Sequence, residues 1–321
     1  VIILIDEYDK PLLDSAGNQA LREAYRSRLQ GFYSVMKSQD GKIRFGFLTG
    51  VTKFGKLSIF SGLNNLEDIS LSRTYADLCG ISEADLHHYF TQSVQELAQA
   101  NELTQEECFA QLKDYYDGYH FAPDTPDIYN PFSLLRCLKS REFGDYWYET
   151  GTPTFVIKAL QRGQYDLADL SLTPVPASCL NGVNADDSDP VPVLYQSGYL
   201  TIKAYDKQTK EYTLGYPNQE VERGFMQGLA NIFVPSARYN SPFAVRKFAE
   251  DFKKGDTESL MKRFEAFFAD ADYEIVGDAE LYFQNTMYVM CKLMGQYTQV
   301  ERHTSNGRMD IVVQTDKYIY I

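Results

Sequence analysis

The chain has 321 residues, 44% hydrophobic and 23% charged, a globular balance with room for two or three domains. A net charge of −13 argues against a broadly basic nucleic-acid surface, though not against a local groove or a metal-dependent nuclease site. No apolar run reaches the ~18–20 residues that span a bilayer. The five dispersed cysteines, Cys79, Cys108, Cys137, Cys179 and Cys291, form no CxxC pair, which argues against zinc and fits reduced thiols in a cytoplasmic protein.

The first nine residues, Val1-Ile2-Ile3-Leu4-Ile5 followed by Asp6-Glu7-Tyr8-Asp9, read as a fully buried parallel strand ending in carboxylates, the form of a Walker B strand. Ligands of α/β sheets bind at the carboxyl ends of such strands. Asp6 is placed to hold the Mg²⁺ of a nucleotide, and Glu7 to polarise the attacking water. The competing reading is an ordinary core strand that ends in a solvated acidic turn. No phosphate-binding loop precedes the strand, so the chain reads as part of a longer protein.

Residues 21–37 follow as an amphipathic helix, and 42–49 (KIRFGFLT) as the next parallel strand, ending in Thr49 and Gly50. A polar side chain at that end can contact a γ-phosphate or the attacking water; a threonine that satisfies its own loop is the other reading. Gly50-Val51-Thr52-Lys53-Phe54-Gly55-Lys56-Leu57 nearly spells a P-loop. Leu57 stands where Ser or Thr must reach Mg²⁺, and the segment follows the acidic strand, so it is read as a loop with structural glycines. Residues 58–71 are polar and turn-rich.

Helical periodicity covers 81–112, with Ser82 as N-cap and Asp85 three residues on. His87 and His88 point about 100° apart on a helix, the arrangement of a surface pair. Residues 114–133 (DYYDGYHFAPDTPDIYNPFS) are aromatic and turn-forming. Their tyrosines read as packing residues, with a clamp on a ligand or neighbouring domain as the alternative. Pro131 opens a helix to about 139. A helix is expected at 154–160, a surface loop at 177–192, and a hairpin of 194–206 and 211–216 turning at 207–210; Pro217 starts a further helix. Residues 243–268 read as a charged helix and 279–295 as a strongly apolar one. Strands follow at 297–303 and 309–314, and a third begins at 318.

The second constellation lies in Gly307-Arg308-Met309-Asp310-Ile311-Val312-Val313. A charge in an apolar strand is costly unless it is paired, metal-bound or at an open end. Metal-dependent nucleases place an Asp at the head of such a strand, with E-x-K on the next; the acids bind Mg²⁺ and the Lys activates water. Here the next strand, 318–321, stops where E-x-K would start. Glu280, heading the apolar helix, is positioned to add a carboxylate. A hairpin with a solvated Asp is the plainer reading.

The ordered blocks LIDEYDKP (4–11), FLTGVTKFGKLSIFSGLNNLEDISL (47–71), YYDGYHF (115–121), YNPFSLL (129–135), YWYETGTP (146–153), LYQSGYLTIK (194–203), PNQEV (217–221), ELYFQNTMY (280–288) and ERHTSNGRMDIVV (301–313) together resemble the bacterial and archaeal AAA-ATPase-like proteins that end in a PD-(D/E)XK nuclease-superfamily domain. The resemblance implies an α/β chain in three parts. Residues 1–75 would belong to a P-loop ATPase core, 76–235 to a helical, winged-helix-like region with a β-hairpin, and 236–321 to a truncated nuclease-like domain. It implies ATP and Mg²⁺ as cofactors, with Asp6, Glu7 and Thr49 at one site and Asp310 and Glu280 at the other. The expected partners are a nucleotide, DNA, or a protein if the nuclease-like fold is an inactive, nucleotide-gated switch; no membrane is implied. With P-loop and E-x-K strand both outside the chain, neither site is expected to turn over in this stretch alone.

Overall fold

The acidic strand and the strand after it form a parallel pair. The computed structural model describes residues 1–15, 18–51, 59–60, 65–147, 165–167, 170, 174–181, 189–233, 242–269, 279–294, 297–304 and 307–320, with 181, 231–233, 242–244, 267, 269, 279–280, 297–304 and 307–311 described by backbone alone. The chain divides into two compact units. One is Val1–Glu142 with Pro153–Gly163 and Thr173–Asn218; the other is Phe143–Thr152 with Gln164–Leu172 and Gln219–Ile321. The architecture is mixed α/β, predominantly helical, with three small sheets among the described residues.

In the first unit, β1 (Ile2–Ile5) pairs in parallel with β2 (Phe45–Leu48), Ile2 opposite Phe45 and Ile5 opposite Leu48. Parallel neighbours need a crossover, supplied by α1 (Lys10–Asp14) and α2 (Gln19–Ser38). Pro11 sits in the first turn of α1, where its missing N–H costs nothing. The Asn18 side chain caps α2 by accepting from Leu21 N at 3.0 Å. Leu12 of α1, Tyr33 and Met36 of α2, and Ile59 make a buried cluster against which Ile3, Ile5, Tyr8 and Leu48 pack. Full burial of the strand does not follow. Ile2 and Leu4 are 62% and 70% exposed, because successive side chains alternate between faces and the helices cover only one face among the described residues.

The periodic stretch at 81–112 is three helices, α3 (Glu83–Tyr89), α4 (Thr91–Ala100) and α5 (Gln105–Tyr116). Ser82 and Asp85 make the expected capping box. The chain leaves the helix at Phe90, and again where Glu102 turns left-handed with φ +57; Thr104 and Glu107 then form a second capping box. His87 stacks on Phe109 and His88 meets the Tyr89 ring edge-on. α6 (Pro131–Ser140) is capped by Asn130, which accepts from Phe132 N at 2.9 Å, and packs on α4 and α5. Tyr116, Tyr119 and Tyr129 are buried, the packing role read from the aromatic segment.

A small sheet of order β3-β5-β4 completes the unit. β3 (Pro174–Pro176) leads into α7 (Ala177–Asn181) and, further on, α8 (Val191–Gln196); β4 (Thr201–Asp206) and β5 (Glu211–Gly215) form the hairpin. Two expectations change here. Residues 177–181 are helical rather than loop, and residues 194–196 belong to a helix rather than to the hairpin's first strand. A short apolar run does not distinguish buried strand from buried helix. Here Val191, Val193 and Leu194 are all buried, and Gly198, with φ +83, turns the chain toward β4.

In the second unit, α9 (Gln219–Phe233) packs on α12 (Ala279–Leu293). The helix expected over 243–268 is two, α10 (Pro242–Lys254) and α11 (Thr257–Ala269), separated at Gly255 with φ +73. Phe248, Phe252, Leu260 and Phe264 bury the faces of this pair, and Arg263 Nε meets Asp251 Oδ2 at 2.7 Å across it. β6 (Tyr297–Thr304), β7 (Gly307–Gln314) and β8 (Ile319–Tyr320) form an antiparallel meander. The helix expected at 154–160 and the loop residues 52–58 lie outside the described residues. No described helix is long and apolar enough to cross a membrane.

Candidate functional site

β1 and β2 end side by side, and the ladder continues one step beyond them. Thr49 N donates to Ile5 O at 2.8 Å, and Tyr8 N donates to Thr49 O at 2.9 Å. Thr49 is thereby held level with Asp6, and its Oγ1 donates to Asp6 Oδ1 at 2.5 Å. Glu7 N donates to the same oxygen at 3.0 Å. Asp6 and Glu7 are exposed, and Thr49 is half-buried. The three residues singled out at the amino end, 43 positions apart in the chain at their widest, are thus gathered at the carboxyl edge of one parallel pair.

Glu7 adopts left-handed backbone, φ +52, a region that costs a residue with a β-carbon roughly 1–2 kcal/mol. That step ends the strand directly after Asp6 and begins the turn into α1. Backbone strain of this kind concentrates where a site must be held in one shape.

Beneath the exposed acids lies a buried one. Asp9 is 0% exposed and accepts from Val51 N at 3.0 Å. Between Thr49 and Val51, Gly50 allows this approach: a β-carbon there would lie 2.6 Å from Tyr8 Cε1 and 2.7 Å from Asp9 Oδ1. The Tyr8 ring packs edge-on against Phe60 with centroids 4.9 Å apart. Burial, followed by the neighbouring Asp9 and Asp68 carboxylates, raises the Tyr8 hydroxyl pKa and keeps the phenol protonated. In the sequence Asp9 is one more acid after the apolar run, and neither its burial nor the need for Gly50 is visible there.

The arrangement suits a hard cation shared with phosphate. Both bonds described for Asp6 fall on Oδ1, and its carboxylate is exposed. Among the described residues no group of three or more His, Cys, Asp or Glu could hold a metal ion. One carboxylate beside one hydroxyl is instead the sparse protein share typical of Mg²⁺, which keeps waters and binds substrate phosphates.

The other two acids lie in the second unit. Asp310 is the fourth residue of β7, not the first, since the strand begins at Gly307; its neighbours Met309 and Ile311 pair with Arg302 and Val300 of β6. Glu280 is the second residue of α12, which packs on β6 and β7. Backbone placement puts both acids in one helix-on-sheet layer; their side chains lie outside the described residues.

Comparison with known proteins meets the same two places. Residues 1–60, which contain β1, β2 and the acidic turn, match the AAA-ATPase-like family model, described as predicted AAA-ATPase. Residues 278–321, from α12 to β8, match the PD-(D/E)XK nuclease superfamily. An uncharacterised protein of the vnfD 5′ region of Azotobacter chroococcum mcd 1 is 32% identical over 332 residues, covering 100% of this chain and 61% of that protein. The chain therefore spans 61% of the length of the curated relative it matches. No solved structure matches the chain significantly. The segment that matches the AAA-ATPase-like model carries the acidic strand pair, and the segment that matches the PD-(D/E)XK nuclease superfamily carries α12 and the β6–β8 meander.

Proposed function

We propose that the whole protein is a P-loop ATPase module coupled to a Mg²⁺-dependent, nuclease-like domain that acts on nucleic acid in the cytoplasm, in a defence, mobile-element or repair setting. The observation that carries the ATPase half is the Thr49 to Asp6 hydrogen bond across two adjacent parallel strand ends. In this reading Asp6 holds the Mg²⁺ of ATP, which supplies charge neutralisation at the transferred phosphoryl group. Glu7, on its left-handed turn, orients and polarises the attacking water. Thr49 fixes the Asp6 carboxylate and presents its hydroxyl at the same edge. In the carboxyl-terminal segment, Asp310 and Glu280 would bind the nuclease's Mg²⁺.

The three-part organisation, 1–75, 76–235 and 236–321, belongs to this proposal. The order β3-β5-β4, with α7 and α8 between β3 and β4, supports a winged-helix-like module within the middle part. That module favours a second reading, a nucleotide-gated protein-interaction switch with an inactive nuclease-like fold. α8 stands where a winged helix would carry its recognition helix, yet Val191, Val193 and Leu194 are buried in it. A net charge of −13 points the same way.

The test is Mg²⁺-dependent ATP hydrolysis by the full-length protein. Asp6→Asn and Glu7→Gln are each expected to lower kcat by roughly 100-fold or more, and wild-type turnover in both variants would end the ATPase reading. Plasmid nicking in Mg²⁺ that Asp310→Ala abolishes would favour the nuclease over the switch; retained ATP hydrolysis with no nicking would favour the switch.

A further inference from the structure

We propose that Asp9 is a positioning residue that sets Thr49 against Asp6 by holding the Val51 N–H, a role that rests on the ATPase reading of this site. Asp9 is the N-cap residue of α1, yet its side chain makes no capping hydrogen bond. The carboxylate reaches instead to Val51, 42 residues on, just past the end of β2. A fully buried carboxylate carries a large desolvation cost unless it is well bonded. A Ser would cap α1 without that cost, so the longer side chain at this position is explained by its reach across the strand ends.

Among the described residues, four hydrogen bonds join the two strand ends in order. Ile5 O takes Thr49 N, Asp6 Oδ1 takes Thr49 Oγ1, Tyr8 N gives to Thr49 O, and Asp9 Oδ1 takes Val51 N. The first and third are backbone bonds that any sequence could make. The second joins the proposed reacting groups. The fourth anchors the backbone just beyond Thr49, so the main chain that presents the threonine hydroxyl to Asp6 is held on both sides. Gly50 lies in the middle of this span, and its missing side chain is what lets the Asp9 carboxylate and the Tyr8 ring close on it. Asp9 makes no described contact with the proposed reacting groups and acts through the backbone of residues 49–51.

The experiment measures Mg²⁺-dependent ATP hydrolysis of the full-length protein as kcat and KM separately, with thermal melting as the control for folding. Asp9→Ala is expected to lower kcat roughly 10- to 100-fold, the effect of a misplacement of about 1 Å, with KM within about threefold. Asp9→Asn, whose amide oxygen still accepts from Val51, is expected to restore kcat to within about threefold of wild type. Gly50→Ala keeps the carboxylate but pushes it aside, and is expected to reproduce the Asp9→Ala loss. If Asp9→Ala does not fold, Asp9→Asn and Gly50→Ala decide. A folded Asp9→Ala or Gly50→Ala protein with wild-type kcat overturns the proposal, as does an Asp9→Asn protein as slow as Asp9→Ala. Asp6→Asn and Glu7→Gln run alongside separate the two levels. If those retain wild-type hydrolysis, the ATPase reading itself fails. If they lose it while Gly50→Ala and Asp9→Ala keep it, only the role of Asp9 fails.

Discussion

At Glu7 the chain carries a backbone conformation that glycine would adopt more readily, φ +52, and a carboxylate that glycine lacks. Stability and the proposed chemistry therefore pull in opposite directions at one residue. Glu7→Gly is expected to raise the unfolding free energy by up to roughly 1 kcal/mol while removing ATP turnover in the full-length protein; urea unfolding and a turnover assay read the two effects separately. Asp117 makes a different case. It is 5% exposed, and burial, then the Asp127 carboxylate, raises its pKa, partly offset by a backbone hydrogen bond and Lys113. Nearby Lys203, whose Nζ donates to Pro217 O at 3.0 Å, has its pKa lowered by burial, against the pull of Asp127 and Asp117. A raised carboxylate pKa means the folded state binds its proton more readily than the unfolded state. That group's contribution to stability therefore falls as pH rises from the ordinary carboxylate value to the folded one, and stays low above it. Asp117→Asn is expected to be more stable than wild type at neutral pH, with the gain vanishing on acidification through the carboxylate range. A series of urea midpoints against pH checks this. The exposed acids Asp6 and Glu7 were legible because charge directly after a branched apolar run is rare. Asp117 and Asp9 were not, because nothing in an acidic, turn-forming stretch of sequence says which carboxylate folding will bury.

Helices with a spelled start or stop were the readable elements. Ser82 with Asp85, and Asn130 before Pro131, mark the starts of α3 and α6 in letters alone. The break between α10 and α11 was also written, as Lys253-Lys254-Gly255-Asp256-Thr257: basic last turn, left-handed glycine, then an acid whose Oδ1 accepts from Ser259 N at 3.0 Å. Continuous hydrophobic periodicity hid it. Gly255 also lets the Tyr318 ring close in, since a β-carbon there would lie 2.7 Å from Tyr318 Cζ. Gly255→Ala should therefore cost more than backbone strain alone, roughly 2–4 kcal/mol, visible as a lower thermal midpoint. A loss of only about 1 kcal/mol, the backbone strain by itself, would show that the tyrosine gives way freely. α8 was unreadable for a different reason: a short apolar run, buried at four successive residues from Val191 to Leu194, fits a strand and a helix turn alike, and only the surrounding core selects between them.

Across the whole chain, order in sequence and compactness in space diverge. Residues 143–152 and 164–172 join the second unit while 153–163 and 173–218 join the first, so no single cut in the sequence separates them. The sequence-based reading followed contiguity and could not see this interleaving. What it did see was that Asp6, Glu7 and Thr49 go together, because each follows an apolar strand and the two strands are successive.

The open face of the β1–β2 pair bears on how this chain behaves in solution. Ile2 lies beside Phe45 and Leu4 beside Phe47, and the two phenylalanine rings stack with centroids 6.3 Å apart, a contiguous apolar strip. A net charge of −13 keeps copies of the chain apart at low ionic strength, where repulsion reaches tens of ångströms; at about 0.1 M salt it is screened beyond roughly 10 Å. Added sodium chloride should then promote particle growth. Light scattering across a salt series should show this for the 321-residue chain, and Leu4→Glu should flatten the response. An unchanged salt profile in Leu4→Glu would mean that association nucleates elsewhere.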